Sequence, residues 1–310
     1  MTETTDRPLV TFALFAYNQE QYIREAVEGA FAQTYEPLEI ILSDDCSTDR
    51  TFEIMQEMAA AYEGSHEIIT RRNRRNLGLI GHVNEITSKI TNPILLLAAG
   101  DDISHPHRTS AVVSTFKAHP RTLLVHSGVQ NIDATGKVLD ISPPVPDQSL
   151  NQIVKSASVY IGATGAIRRE LVSHFGPIMY PNTYEDLIFG TRAALLGDIA
   201  SIPSALISYR NNVGIIAHAR SAPDRTNKRR NSIHHRIATL KQRELDVDRS
   251  NHPRSKELQS IIEAELSRAK ARLRYHDNRK DFFHKIFSKE CVHHIRALSS
   301  ETKYLLKLID

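Results

Sequence analysis

Tryptophan is absent from the chain, and cysteine occurs twice in 310 residues. Cys46 and Cys291 stand too far apart for a C-x-x-C pattern, which excludes a thiol-based zinc or redox motif of that type. They read as reduced thiols, with no disulfide framework. No stretch approaches the roughly 18–20 apolar residues of a membrane helix. The longest candidate, Ile94 to Ala99, has the length of a buried strand. The start, Met1 to Arg7, is polar and partly acidic, unlike a secretory signal. A glycine-rich phosphate loop of the G-x-x-x-x-G-K type is also missing, which argues against a nucleotidyltransferase of that kind. These absences together predict a cytoplasmic protein whose contact with a membrane, if any, is peripheral.

The charge is present but unevenly distributed. The formal net charge is +3, yet residues 221–310 carry 21 Lys and Arg against 12 Asp and Glu, a net +9. The remaining residues carry 18 against 24, a net −6. A basic tail on an acidic body suggests an anionic partner such as lipid head groups or nucleic acid, or else a solvated helical surface. Few aromatics interleave with the basic residues, so no nucleic-acid partner is expected. The tail, with apolar stripes beside its charge, is instead expected to hold the chain near anionic lipids; the alternative, expected for the helix from Glu257, is that the stripes pack on the core or on a second subunit. Homo-oligomerisation is a further possibility for those stripes.

The first half alternates strand and helix. Val10 to Ala16 is β-rich, and Glu20 to Thr34 has apolar residues at helical spacing. Leu38 to Leu42 is a second strand, Thr51 to Tyr62 a helix with Asp49 at its N-cap, and Glu67 to Thr70 a third strand. Gly81 to Ile90 reads as a helix and Pro93 to Ala98 as a fully buried strand. Such alternation implies a doubly wound α/β architecture around a largely parallel sheet. Shorter strands follow at Leu123 to Ser127 and Ala200 to Ile202, with a helix from Asp186 to Leu196 between them. From about 224 the texture changes to charged amphipathic helices. One is Glu257 to Tyr275; a second stripe comprises Phe282, Phe283, Ile286, Phe287, Ile295 and Leu298. The expected division is a catalytic domain over 1–220 and a basic helical extension over 221–310.

In a parallel sheet, ligands bind beyond the carboxyl ends of the strands. Three polar clusters fall there: Tyr17-Asn18, Asp44-Asp45 and Gly100-Asp101-Asp102. Two consecutive carboxylates after a buried strand are costly to desolvate without a compensating cation. A hard divalent ion shared with substrate phosphates would supply one; a solvated turn or helix cap is the alternative. Asp45 could accept the imide N–H of a pyrimidine, while Ser47 and Asp49 suit helix capping. Arg71, Arg72, Arg74 and Arg75 could face a diphosphate or form an exposed basic loop. Glu185 and Asp186 could complement the positive end of a helix, or one of them could serve as a general base.

Taken in order, these segments resemble family 2 glycosyltransferases. Phe12 to Asn18 followed by Ser43 to Asp49 is similar to the family's opening, and Asn76-Leu77-Gly78 with Asn84 resembles its Asn-x-Gly segment. Gly100-Asp101-Asp102, with Pro106 and Arg108 after it, resembles the Asp-x-Asp-like signature. Gly162 to Gly165 followed by Arg168 to Leu171 resembles the acceptor-side loop, Glu185-Asp186 the Glu-Asp motif, and Tyr209-Arg210 the Tyr-Arg pair after the last core strand. The matches span residues 8–210, about two thirds of the chain. The resemblance implies a GT-A fold and an inverting transfer from a nucleoside-diphosphate sugar, with UDP the default, to a saccharide or lipid-linked acceptor. It implies Phe15, Tyr17 and Asp45 around the base, Asn76 beside the nucleotide and Asp101 on the ribose side. Asp102 would ligate Mg²⁺ or Mn²⁺, with His218 a weaker further ligand. Asp186, next to Glu185, would act as the catalytic base. The rival reading is a sugar-nucleotide-binding scaffold with a degenerate site.

Overall fold

The structure, a computed structural model, describes residues 7–211, 213, 225–278 and 291–306. His218 and the aromatic residues Phe282, Phe283 and Phe287, with Ile286, lie outside the described residues.

Nine strands form one sheet: β1 (Val10–Ala16), β2 (Leu38–Asp44), β3 (Glu67–Arg72), β4 (Ile94–Ala99), β5 (Ile103–Ser104), β6 (Thr122–Ile132), β7 (Val138–Ser142), β8 (Ala166–Arg168) and β9 (Asp198–Arg210). The spatial order is β3-β2-β1-β4-β8-β6-β9-β5, with β7 paired to β6. β3, β2, β1 and β4 run parallel, as the alternation of elements requires. The second half is mixed, because β8 is antiparallel to both its neighbours while β6 and β9 are parallel. The last two core strands extend well beyond their apolar centres, Leu123 to Ser127 and Ala200 to Ile202. Their outer ends pair with β7 and β5 respectively, and buried Val129, Ile132, Leu206 and Ile207 continue the core beyond the expected runs.

Strand alternation distributes the core between two faces. Phe12 and Leu14 of β1, with Leu96 of β4, pack under α1 (Ile23–Phe31), α2 (Thr51–Ala60) and α4 (Arg108–Ala118). Ala13 of β1, with Leu95 and Leu97 of β4, faces α3 (Gly78–Thr87), α6 (Glu170–Phe175) and α7 (Glu185–Leu196). The short α5 (Leu150–Ile153) completes that face.

The C-terminal helices are α8 (Arg225–Ser250), α9 (Ser255–Asp277) and α10 (Cys291–Leu306). Leu240 and Val247 of α8, and Leu258, Ile262, Leu266 and Ala269 of α9, belong to the same buried cluster as α7. The change of composition near 220 is therefore not a gap in packing. Polar contacts reinforce the joint. Arg192 of α7 makes a bidentate pair with Asp246 of α8 at 2.9 and 3.1 Å, with neither side chain more than 1% exposed. Gln242 accepts the backbone N–H of Met179 at 2.7 Å, and the hydroxyls of Thr183 and Thr239 meet at 2.7 Å. No helix among the described residues is long and apolar enough to cross a membrane.

Removing one partner of a buried ion pair leaves the other charge desolvated and unmatched. Asp246→Ala is therefore expected to lower the unfolding free energy by about 3–5 kcal/mol, read from urea denaturation. A midpoint unchanged from wild type would mean that α8 is not part of the core.

Candidate active site

The loops that leave β1 and β2 are tied to each other before any ligand arrives. Asn18 adopts a positive φ of 51°, which Asn tolerates better than most residues. Its N–H donates to Ser47 Oγ at 2.9 Å, and its Oδ1 accepts the Thr48 N–H at 2.8 Å. Gln19 N–H donates to Thr51 Oγ1 at 2.7 Å. Asp49 accepts the Thr51 N–H at 3.0 Å and the Glu20 N–H at 3.1 Å, so it serves the start of α2 and the neighbouring loop together.

The two aspartates at the end of β2 have different employment. Asp44 is fully buried; it accepts the Ser47 N–H at 2.9 Å and pairs with Arg72 at 3.2 Å. Asp45 takes Asn73 Nδ2 at 2.6 Å and the Leu77 N–H at 2.9 Å on Oδ1, which leaves Oδ2 for a ligand. Phe15 is half-buried and meets His82 edge-to-face at 5.0 Å. His82 in turn contacts Ser43 Oγ at 2.6 Å. Burial, with Arg71 adding to it, pushes the His82 pKa down to about 3, so the imidazole under Phe15 is neutral. Tyr17 stands exposed at the mouth of this platform.

Of the four arginines at and after the end of β3, two are committed to the protein. Arg71 donates to Ser43 Oγ at 2.6 Å and pairs with Glu85 at 3.5 Å. Arg72 holds Asp44 and the Ser47 carbonyl. Arg74 and Arg75 remain exposed. Asn76 turns its Oδ1 onto the Gly78 N–H at 2.7 Å, at the beginning of α3.

Gly100-Asp101-Asp102 lies where the chain leaves β4 and crosses to β9 through β5. Arg210, the last residue of β9, fastens this corner. Its N–H donates to Asp102 Oδ1 at 2.8 Å and its Nε to the Asp101 carbonyl at 3.0 Å. Its remaining nitrogens reach the carbonyls of Asp133 and Ala134, both at 3.1 Å, and Glu25 at 2.6 Å. Asp102 is 6% exposed, whereas Asp101 is only partly buried. Burial raises the pKa of both; the Asp101 charge raises Asp102 further, while Arg108 and Arg210 oppose the shift. Arg108 is itself fully buried, donating to Ser104 Oγ at 2.9 Å and to the Leu97 carbonyl at 2.7 Å. Two adjacent carboxylates that burial makes costly to ionise suit a divalent cation. Among the described residues no three His, Cys, Asp or Glu side chains converge, so such an ion would draw most of its ligands from substrate and water.

Glu185 and Asp186 open α7. The Gly162–Thr164 turn packs against them, and a Cβ on Gly162 would lie 2.3 Å from Glu185 Oε1, so only glycine leaves room for that carboxyl. The same turn is fixed to β4, because the Gly165 carbonyl accepts the Leu97 N–H at 2.9 Å. Burial pushes the Asp186 pKa up to about 6, against the Leu187 N–H and the Arg243 charge, which favour the anion. Burial and the Asp186 charge push Glu185 up to about 8. The two carboxyls titrate as a pair, because burial and their mutual repulsion make it costly for both to be ionised. Tyr160 is fully buried, close enough to feel both charges, and its hydroxyl has no hydrogen-bond partner among the described residues.

Arg243 reaches this pair from α8. It is fully buried, donating to the carbonyls of Val154 at 3.2 Å, Ser156 at 2.8 Å and Leu187 at 3.2 Å. The sequence reading missed it. The available signal was its spacing, since Arg243 shares a helical face with Leu240 and Val247, where a solvated arginine would not fall.

A curled, mostly parallel sheet flanked by helices, with an aspartate pair where the chain leaves β4, is the architecture of the GT-A glycosyltransferases. The fold agrees with solved members of that class. TarS of S. aureus, crystallised with UDP-GlcNAc, superposes with a TM-score of 0.60 at 17% identity, over 94% of this chain and 80% of that one. The mannosyltransferase PcManGT of Pyrobaculum calidifontis, in complex with GDP-Man and Mn²⁺, gives 0.57 at 15% identity, over 97% and 88%. The sequence profile of glycosyl transferase family 2 matches residues 11–176, and the chain belongs to that family. An uncharacterized protein of Mycobacterium tuberculosis is 32% identical over 209 residues, 66% of this chain and 59% of the relative. An uncharacterized glycosyltransferase of Haemophilus influenzae is 28% identical over 235 residues, 66% of this chain and 65% of the relative. The chain thus spans less than two thirds of the length of these curated relatives.

Removing the Asp186 charge takes away one of the two causes that raise Glu185. Asp186→Asn is expected to bring the Glu185 midpoint below about 8 while burial keeps it above the ordinary range, as followed by carboxyl ¹³C NMR. An unmoved midpoint would show that the two carboxyls do not interact.

Proposed function

We propose that the protein is an inverting hexosyltransferase that moves a sugar from a nucleoside-diphosphate sugar, with UDP the expected nucleotide, to a hydroxyl of a saccharide or lipid-linked saccharide. The observation that carries this reading is the dyad at the start of α7. Two adjacent carboxyls lie against the Gly162–Thr164 turn, and burial raises the pKa of both toward neutral pH, where a general base works.

Asp186 takes the proton of the acceptor hydroxyl as its oxygen bonds to the anomeric carbon. The bond from that carbon to the diphosphate oxygen breaks on the opposite face, so the configuration inverts and the nucleoside diphosphate departs. Phe15 and Tyr17 offer faces to the base, and the free Oδ2 of Asp45 accepts its imide proton. A bound Mg²⁺ or Mn²⁺ supplies charge stabilisation for the departing diphosphate. Exposure favours Asp101 as the direct metal ligand, where the sequence had suggested Asp102. Asp102, held by the Arg210 N–H, supports its neighbour from behind. Asn76, whose carbonyl oxygen is occupied at α3, contributes to the loop's shape.

The sign of the pH dependence follows from the role of Asp186. A base must be ionised, so kcat/KM should fall about tenfold per pH unit below about 6. Asp186→Asn should lower turnover by roughly 10²-fold or more while leaving donor binding nearly intact. Near wild-type turnover in that variant would remove Asp186 as the base. Calorimetry with UDP and Mn²⁺ on Asp101→Ala addresses the metal: binding that remains metal-dependent there would place the ion elsewhere.

A further inference from the structure

A cavity of about 210 Å³ lies between α8, α9 and α10, away from the strand ends. Its wall contains Arg236, Arg268, Arg272 and Arg296 with a single carboxylate, Glu265, and the Ser300 hydroxyl. Glu265 is already divided between Arg236 at 3.4 Å and Arg268. Behind the wall, Glu301 is shared by Arg229 at 2.8 Å, Arg272 at 2.6 Å and His276 at 2.9 Å. Arg296 is exposed and has no hydrogen-bond or ion-pair partner among the described residues. The cavity thus gathers more positive charge than its acids neutralise, in a partly enclosed place where water screens it less.

Guanidinium groups converging from three helices match an anion with several oxygens arranged around one centre, which is the geometry of phosphate. The volume falls below the roughly 300–1,000 Å³ of pockets that enclose drug-sized ligands, so a whole nucleotide sugar does not fit. A phosphate or diphosphate group does.

The cavity is also mechanically joined to the base. Arg236 donates to the carbonyls of Ser156 at 3.0 Å and Lys155 at 2.7 Å. The Ser156 carbonyl is the one that Arg243 also holds, and Arg243 reaches the Leu187 carbonyl beside Asp186. His235, next to Arg236, stacks on Tyr184 with centroids 5.3 Å apart. We propose that this arginine-lined cavity is a subsite for a phosphate or diphosphate group carried by the acceptor. The word acceptor rests on the transferase reading above; the anion site rests on the cavity alone.

The test is titration of the full chain with inorganic pyrophosphate, in wild type, in the double variant Arg268→Ala/Arg296→Ala, and in Asp101→Ala. Arg296 is exposed and Arg268 half-buried, neither holds Glu301, and Glu265 keeps Arg236 when Arg268 is removed; unchanged urea denaturation of the double variant confirms that it folds. Losing two charge-assisted contacts should weaken pyrophosphate by about tenfold or more. Asp101→Ala should keep that binding. Equal affinity in wild type and the double variant would overturn the proposal. So would binding lost only in Asp101→Ala, since the pyrophosphate would then occupy the donor site. Flotation with phosphatidylcholine vesicles, with and without phosphatidic acid, separates the sources. Capture by phosphatidic acid that the double variant loses assigns the phosphate to a lipid; pyrophosphate binding without capture assigns it to a soluble acceptor. Absence of both in wild type overturns the subsite and leaves donor binding, measured separately with UDP, as the test of the transferase reading.

Discussion

The contact between Arg210 and the Gly-Asp-Asp corner is the constraint on which the site depends. A single residue at the end of β9 contributes its N–H to Asp102, and its guanidinium to the Asp101 carbonyl, to Glu25 and to the β6–β7 hairpin. The corner would otherwise be a short connection between β4 and a two-residue strand, with two carboxylates repelling each other. Because Arg210 is 1% exposed, its charge acts at low screening and in fixed directions. The two aspartates are therefore held in a preset position, which spares the reorganisation that a mobile loop would require.

The same device recurs through the molecule. Arg108 under β4, Arg192 and Arg243 around α7, and Arg236 on α8 each use several donors on backbone carbonyls or buried acids. Carbonyls left over at turns and helix ends are satisfied from the side, and each arginine joins segments distant in sequence. Burial lowers the Arg108 and Arg243 pKa values to about 9, which still leaves them cationic near neutral pH. A chain without tryptophan thus gains much of its long-range order from guanidinium groups.

The parallel half of the fold was legible because β1, β2 and β4 are buried on both faces and its helices keep one apolar stripe. β1, β2, β3 and β4 begin and end within about two residues of the expected runs. The extended ends of β6 and β9 were not legible, since Gln130, Asn131, Ser208 and Tyr209 carry no apolar signal there and are ordered by pairing with each other. Of the candidate residues, Phe15, Tyr17, Asp45, Asp101 and Asp102 fall on adjacent strand ends, as periodicity alone indicated. Glu185 and Asp186 were readable only as a motif, because what distinguishes them from a plain helix start is their burial against Gly162. The unequal burial of Asp101 and Asp102, and the arrival of Arg243 from α8, are consequences of tertiary packing that spacing could suggest at most for the latter.

The joint between α7 and α8 bears on how such chains can diverge. Many enzymes exchange accessory segments freely, because the seam between them is exposed and chemically undemanding. Here the seam contains a bidentate ion pair, a glutamine satisfying a backbone amide and an arginine lodged beneath the dyad. A C-terminal segment borrowed from a cousin would have to restore all of these at once, or leave charges stranded in the interior. The two halves of this chain are therefore constrained to change together.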